Sequence, residues 1–343
     1  MRLDDLDFIL PPEQIAQTPL ANRSASRMLS VDRKSGDFHD ASFTDLGSEL
    51  GPGDILVLNN TKVFPARLFG RIETGAAIEM LLIEEIEPLV WDAVARPGKR
   101  LATGKRVIFD EKFSAVVIEK LDGGRVRFRF ETDGDLDAEI DRLGSTPLPP
   151  YITPDETKRE FDRERYQTVF AAERGAIAAP TAGLHFTDDI LNEIRANGTE
   201  IVELTLHVGY GTFEPVRVDE LAKHRVLPER FSISEEAASA LNDSLDAGKR
   251  IVAVGTTTTR ALESAIRDTG RFRAGAGVAD LTITPGYEFK AVSALVTNFH
   301  LPKSSLLILV STFGGHKLIM DAYEHAVREG YRFYSYGDCM FVK

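Results

Sequence analysis

The sequence predicts an α/β protein interrupted by a small antiparallel β-barrel or sandwich. Three observations carry this. In the second half, apolar strands at 201–208 and 250–254 stand among amphipathic helical stretches. Between Val63 and Phe130, short β-type runs recur at regular spacing with glycine turns between them. A further apolar strand at 54–58 precedes that block, so the β-rich region reads as an insertion in a domain built from both ends of the chain.

In chain order, Pro11-Pro12 and Pro19 keep the first stretch in turns, and Met28-Leu29-Ser30-Val31 is a short strand. The β-type runs are 66–72, 78–83, 89–95, 106–109, 114–119 and 125–130. Asp122-Gly123-Gly124 suits a tight hairpin, because glycine takes positive φ without steric cost. Strict alternation from Arg125 places Val126, Phe128 and Phe130 on one face and Arg125, Arg127 and Arg129 on the other. Pro147-Leu148-Pro149-Pro150-Tyr151 is a stiff connector and a boundary. It divides the chain into a discontinuous α/β domain, 1–61 with 149–343, and an inserted domain, 62–148. Helices are expected over 187–196, 234–247, 261–267 and 315–329, with acids at two of the starts, where the helix dipole favours them. Residues 331–336 and 340–342 read as closing strands.

The 343 residues carry 41 Lys+Arg against 53 Asp+Glu, a net charge of −12. At 43% hydrophobic the chain is too apolar for a disordered protein and too polar for a bundle of membrane spans. One cysteine, Cys339, excludes an intrachain disulfide. Asp4, Asp5 and Asp7 stand where a signal peptide would be basic, and a cytoplasmic protein is expected. The acidic balance argues at first against a nucleic-acid partner. No P-loop, dinucleotide fingerprint, H-E-x-x-H or G-x-S-x-G motif occurs.

Five constellations remain. A strand runs into Gly255-Thr256-Thr257-Thr258-Thr259-Arg260, which suits an anion at a helix start, although a single threonine could merely cap it. His185, in Ala179-Pro180-Thr181-Ala182-Gly183-Leu184-His185, is either a neutral base or a core histidine bonded to backbone. His207 meets Gly209-Tyr210-Gly211, which presents Tyr210 to a cavity or packs it at a bulge. Asn298-Phe299-His300-Leu301-Pro302-Lys303-Ser304 clusters polar groups before an apolar helix whose first turn suits Pro302. Finally, Arg96, Lys99, Arg100, Lys105 and Arg106 fall within 11 positions that hold no acid: a solvated loop or a phosphate-contacting patch.

Together these residues resemble the S-adenosylmethionine:tRNA ribosyltransferase-isomerase family of queuosine biosynthesis. The resemblance spans essentially the whole chain. It rests on Asp7-Phe8-Ile9-Leu10-Pro11, Asn59-Asn60-Thr61-Lys62-Val63-Phe64-Pro65-Ala66-Arg67, Leu148-Pro149-Pro150-Tyr151-Ile152 and Glu164-Arg165-Tyr166-Gln167. It continues through the His185, His207 and four-threonine segments, Thr284-Pro285-Gly286-Tyr287, the Asn298 segment and Ser335-Tyr336-Gly337-Asp338. One motif departs: where the family has a His-Arg-Met-His-Ser-Glu type of stretch, Val226-Leu227-Pro228 separates His224-Arg225 from Glu229. Only His224 and Glu229 carry over there.

The resemblance implies an α/β main domain, a mixed sheet with flanking helices, holding an inserted small antiparallel β-barrel. It implies transfer and isomerisation of the ribosyl part of S-adenosylmethionine onto 7-aminomethyl-7-deazaguanine at the tRNA wobble position, giving epoxyqueuosine with release of adenine and methionine. S-adenosylmethionine is then a consumed co-substrate, with no resident cofactor, no metal and no membrane; a monomer is expected. His185, His207 and Tyr210 are the expected catalytic residues. Asp7, Asn60, Arg67, Thr181, Thr256 and Thr257 are expected to bind substrate, as are Thr258, Arg260, Tyr287, His300, Lys303 and Asp338. Asp7, Asp338 or Glu214 would face the sulfonium or the aminomethyl group, and the basic 96–106 loop would contact tRNA. Two rivals are an RNA methyltransferase, which lacks its glycine-rich loop here, and a non-catalytic RNA-binding barrel.

Overall fold

The computed structural model describes residues 1–153 and 155–343. The N-terminal part supplies β1 (Arg27–Asp32), β2 (Asp37–Ser42), α1 (Leu46–Glu49), β3 (Asp54–Asn59) and the short β4 (Thr61–Val63). Six strands then leave the main body: β5 (Arg67–Ile72), β6 (Ala77–Glu87), β7 (Val90–Arg96), β8 (Arg106–Ile108), β9 (Phe113–Lys120) and β10 (Arg125–Thr132). The chain returns through α2 (Leu136–Leu143), α3 (Arg159–Arg165), β11 (Glu173–Ala176), α4 (Asp188–Ala196), β12 (Glu200–Leu206), β13 (Glu229–Ile233), α5 (Glu235–Asp246) and β14 (Arg250–Val254). It ends with α6 (Thr256–Ile266), β15 (Gly275–Ala279), β16 (Ala294–Asn298), α7 (Ser305–Gly314), α8 (His316–Arg328) and β17 (Cys339–Val342).

Nine strands form one mixed sheet in the order β15-β13-β12-β3-β14-β16-β17-β1-β2. Its centre, β12-β3-β14-β16, is parallel. The apolar runs of β3, β14 and β16 are unbroken because helices cover both faces. Ile55, Val57, Ile251 and Ala253 pack on one side with α5, α6 and α7; Leu56, Leu58, Val252 and Val254 pack on the other with α4.

The inserted strands close into a barrel, β10-β7-β6-β5-β8-β9. Val126, Phe128 and Phe130 point into its core, as the alternation requires. Gly123 and Gly124 turn the β9–β10 connection at φ 70° and 78°. The basic 97–105 connection caps one end, with Leu101 fully buried in the barrel core as its plug. Register places that end away from the main body. Arg67 bridges Ser145 at the junction, whereas Arg71 faces Ile108, the last residue of β8, so the Lys105–Arg106 end of the basic stretch lies roughly 17 Å or more along the barrel, while its Arg96 end faces Glu79, the ion-pair partner of Arg67.

Three expectations are corrected. Residues 331–336 are no strand: Arg332 donates to the Asp338 carboxylate, Phe333 N–H to Gln14 and Tyr334 N–H to Phe299, with Tyr334 at φ 73°. The segment's backbone donors thus go to loops and a side chain instead of a ladder. The helix expected at 261 begins at Thr256; the Thr258 and Thr259 hydroxyls bond back to the carbonyls of Val254 and Gly255 and are thereby satisfied within the buried first turn. Pro302 lies in a turn before α7, whose N-cap is Ser304. β2, β13, β15 and β16, unexpected from sequence, complete the sheet.

The junction depends on Gly144, where a Cβ would collide with the carbonyl oxygens of Pro65 and Ile140. Gly144→Ala should lower unfolding stability by about 1–3 kcal/mol, measured by urea titration; an unchanged midpoint would contradict this packing.

Candidate active site

The carboxyl ends of β12, β3, β14 and β16 point the same way, and a cleft opens along that edge, as is general for open α/β sheets. Gly255, at φ 94°, swings the chain from β14 into α6. Among the described residues no side chain caps α6, so its first N–H groups are left to the cleft. The cleft has two chambers that share Thr212, Thr256, Thr257 and Leu306.

The first chamber is walled by Ala178–Ala182, Thr297, Asn298, His300, Tyr166, Tyr334 and Ser335, and among the described residues no carboxylate, lysine or arginine lines it. Burial drives the His300 pKa down to about 3, and its Nε2 sits 2.9 Å from Thr297 Oγ1. Burial also raises the Tyr166 phenol and pushes Tyr334 up to about 12. At neutral pH this chamber is therefore uncharged and rich in hydroxyls.

The second chamber is different. Glu229 is buried against Arg260 and also accepts from Gly209 N–H at 2.9 Å. Burial raises its pKa and the Arg260 guanidinium opposes that. Arg260 spends its other donors on the carbonyls of Leu227, Ala279 and Leu281. His224 faces the same space with Nε2 2.8 Å from Ser305 Oγ, and desolvation lowers its pKa. Val226 and Leu227, the stretch that departs from the expected motif, form an apolar wall here.

A family model described as "Queuosine biosynthesis protein" matches residues 3–342. The chain belongs to this family. It is 48% identical over 344 residues to the S-adenosylmethionine:tRNA ribosyltransferase-isomerase of Syntrophotalea carbinolica, and 49% identical over 345 residues to that of Macrococcus caseolyticus. In each case all of both chains is covered. The crystal structure of S-adenosylmethionine tRNA ribosyltransferase from Thermotoga maritima is similar with a TM-score of 0.56 and 35% identity, covering 99% of this chain and 100% of that one.

Within this queuosine biosynthesis protein, Thr181, Thr256, Thr257 and His300 come together in the first chamber, and Arg260, His224 and Glu229 in the second. The other expected residues lie elsewhere. His185 is buried behind Asn298, with Nδ1 2.8 Å from Ser26 Oγ and Nε2 3.2 Å from Asn298. His207 contacts Thr61 Oγ1 at 2.9 Å, and its ring fills the space a side chain at Gly175 would need. Tyr210 packs on the barrel core. Arg67 holds the junction through Glu79 and the Leu148 carbonyl. Thr258 is turned into the helix, and Tyr287 donates to Glu263 at 2.8 Å. Asp7 and Asp4 pair with Lys303, and Asp338 accepts from two backbone N–H groups. Asn60 bonds Glu203 and Thr205 beside β3, and exposed Glu214 lines neither chamber. Asn298 and Ser335 stand in motifs named above, but neither they nor Thr297 and Tyr334 were among the expected substrate-binding residues; assigning them to the cleft required recognising β16 as a strand whose end opens there.

On the barrel, Arg96, Lys99 and Arg100 are exposed, and Lys105 and Arg106 half-buried. Arg106 pairs with Glu131, Arg127 with Asp92 and Arg129 with Glu87. Among the described residues no carboxylate pairs with Arg96, Lys99, Arg100, Lys105 or Arg125.

Burial holds His185 down to about 4, as it does His300 to about 3, both below the ordinary 6.5. The unfolded chain therefore takes up these protons first, and stability falls as pH drops from 6.5 toward 4, by at most about 1.4 kcal/mol per histidine per pH unit. His185→Gln should flatten the fall in unfolding free energy between pH 7 and 5; an identical pH slope would contradict the neutral buried ring.

Proposed function

We propose that this chain transfers and isomerises the ribosyl moiety of S-adenosylmethionine onto 7-aminomethyl-7-deazaguanine at the tRNA wobble position, releasing adenine and methionine. Full-length identity near one half to enzymes named for this activity carries the reading. The cleft supports it. The uncharged chamber suits a nucleobase, and the uncapped start of α6 suits the methionine carboxylate. S-adenosylmethionine is consumed as a co-substrate, with no resident cofactor. Both chambers are built by one chain, consistent with a monomer, and a tRNA substrate implies a cytoplasmic setting.

The sulfonium acidifies the adjacent 5′ carbon and a base removes a proton there; in the rearrangement that follows, the aminomethyl nitrogen bonds to the ribosyl carbon that adenine leaves, its proton going to adenine, and the 5′ C–S bond breaks with its electron pair so that methionine departs as the thioether. An effective base holds its pKa near the working pH. Of the two histidines that line the cleft, this favours His224 over His300, whose pKa is about 3. His224→Gln should lower turnover about 10²–10⁴-fold with S-adenosylmethionine binding retained. Full activity would remove His224 from this role.

Incubation with S-adenosylmethionine and tRNA bearing the modified base should release adenine, with a matching mass gain in the tRNA. A methyltransferase would leave the adenosyl group intact, and a binding module would release nothing.

The basic barrel cap is placed to hold tRNA phosphates away from the reacting base. Replacing Arg96, Lys99, Arg100 and Lys105 together by Ser should weaken tRNA binding and flatten its salt dependence, with S-adenosylmethionine affinity unchanged. An unaltered salt slope would move the tRNA path off the barrel.

A further inference from the structure

Asn298 closes β16 and is only 2% exposed. Its Nδ2 donates to the Tyr334 carbonyl at 3.0 Å and faces His185 Nε2 at 3.2 Å. A carbonyl can only accept, which sets the orientation of the amide. His185 Nε2 is then an acceptor too, leaving Nδ1–H to donate to Ser26 Oγ at 2.8 Å. The ring is neutral, as this arrangement requires. Both amide hydrogens are thereby engaged. Oδ1 is buried, has no partner among the described residues, and belongs to a residue lining the first chamber. An unmet buried acceptor is unfavourable, so its presence calls for a donor from outside the chain.

We propose that Asn298 Oδ1 accepts a hydrogen bond from the exocyclic amine of a purine-type base seated in the first chamber, with His185 as the positioning residue that holds the amide. The donor is a neutral amine rather than an ammonium, because among the described residues no carboxylate lines this chamber to balance a buried cation. Tyr166 and Tyr334 add aromatic wall. The inference rests on the functional reading above, in which two such bases are present, adenine and the 7-deazaguanine. It reassigns His185 from the reacting atoms to the support behind them.

Paired ligands test this on the intact chain. Adenosine is compared with purine riboside, which lacks only the 6-amino group, and 7-aminomethyl-7-deazaguanine with its 2-deamino counterpart, each by competition binding. The wild type should prefer the amine-bearing member of one pair roughly 10- to 100-fold, and that pair names the occupant. Asn298→Leu should bring the preference close to one. His185→Leu should reduce it and His185→Gln restore it, since Gln can again accept from Asn298 and donate to Ser26. Should the Leu variants not fold, the wild-type preference still decides. A wild type that binds S-adenosylmethionine but shows no amine preference in either pair overturns the inference alone, as does an Asn298→Leu protein that keeps the preference. A wild type that binds neither S-adenosylmethionine nor any of the four compounds overturns the functional reading and the inference with it.

Discussion

Backbone buried at the carboxyl edge of a parallel sheet must still find hydrogen-bond partners, and much of the site is built from the way this chain satisfies that demand. Asn59 at the end of β3 bonds both N–H and C=O of Leu206, splicing β3 to β12 just where the chain leaves for the barrel. Asn298 at the end of β16 bonds the Tyr334 carbonyl. Buried carboxylates do the same for loops: Glu263 takes the N–H groups of Lys290, Ala291 and Val292, and Asp338 those of Arg27 and Arg332. Several polar residues that look catalytic in a linear reading are thus spent on backbone, and the cleft is what remains between them.

The barrel stands outside this arrangement and is held to it at few points. Arg67 reaches Leu148 and Glu79, Gly144 allows the returning chain to pass against Pro65, and Arg230 meets Glu84 at 2.6 Å. Its cations are divided. Most of those on the outer face of β10 are matched by acids of neighbouring strands, whereas those of the end cap are not. A net charge of −12 therefore conceals a local basic surface, because screening beyond about 10 Å makes the nearest charges decide contact with a phosphate backbone.

Legibility followed range. The hairpin at Asp122-Gly123-Gly124 and the outward arginines of β10 depend on near neighbours and were readable. The helix start was misplaced because threonine propensity is weak and burial of the first turn against the sheet, a tertiary effect, overrides it. The 331–336 segment looked like a strand because it is rich in aromatics, yet its partners are Gln14, Phe299 and Asp338.

By itself the sequence determined the class, the barrel inserted between two parts of one sheet and the family, since each is written in periodicity, turn residues or long ordered motifs. The tertiary structure alone decided which histidines meet the cleft. His185 and His207 share their segments with glycines and small residues that suggest a ligand, but residues up to 159 positions away, Ser26 and Asn298 at both nitrogens of His185 and Thr61 at Nδ1 of His207, engage them. A side chain's chemistry is set by what it touches, and for these residues every decisive contact is remote in the chain.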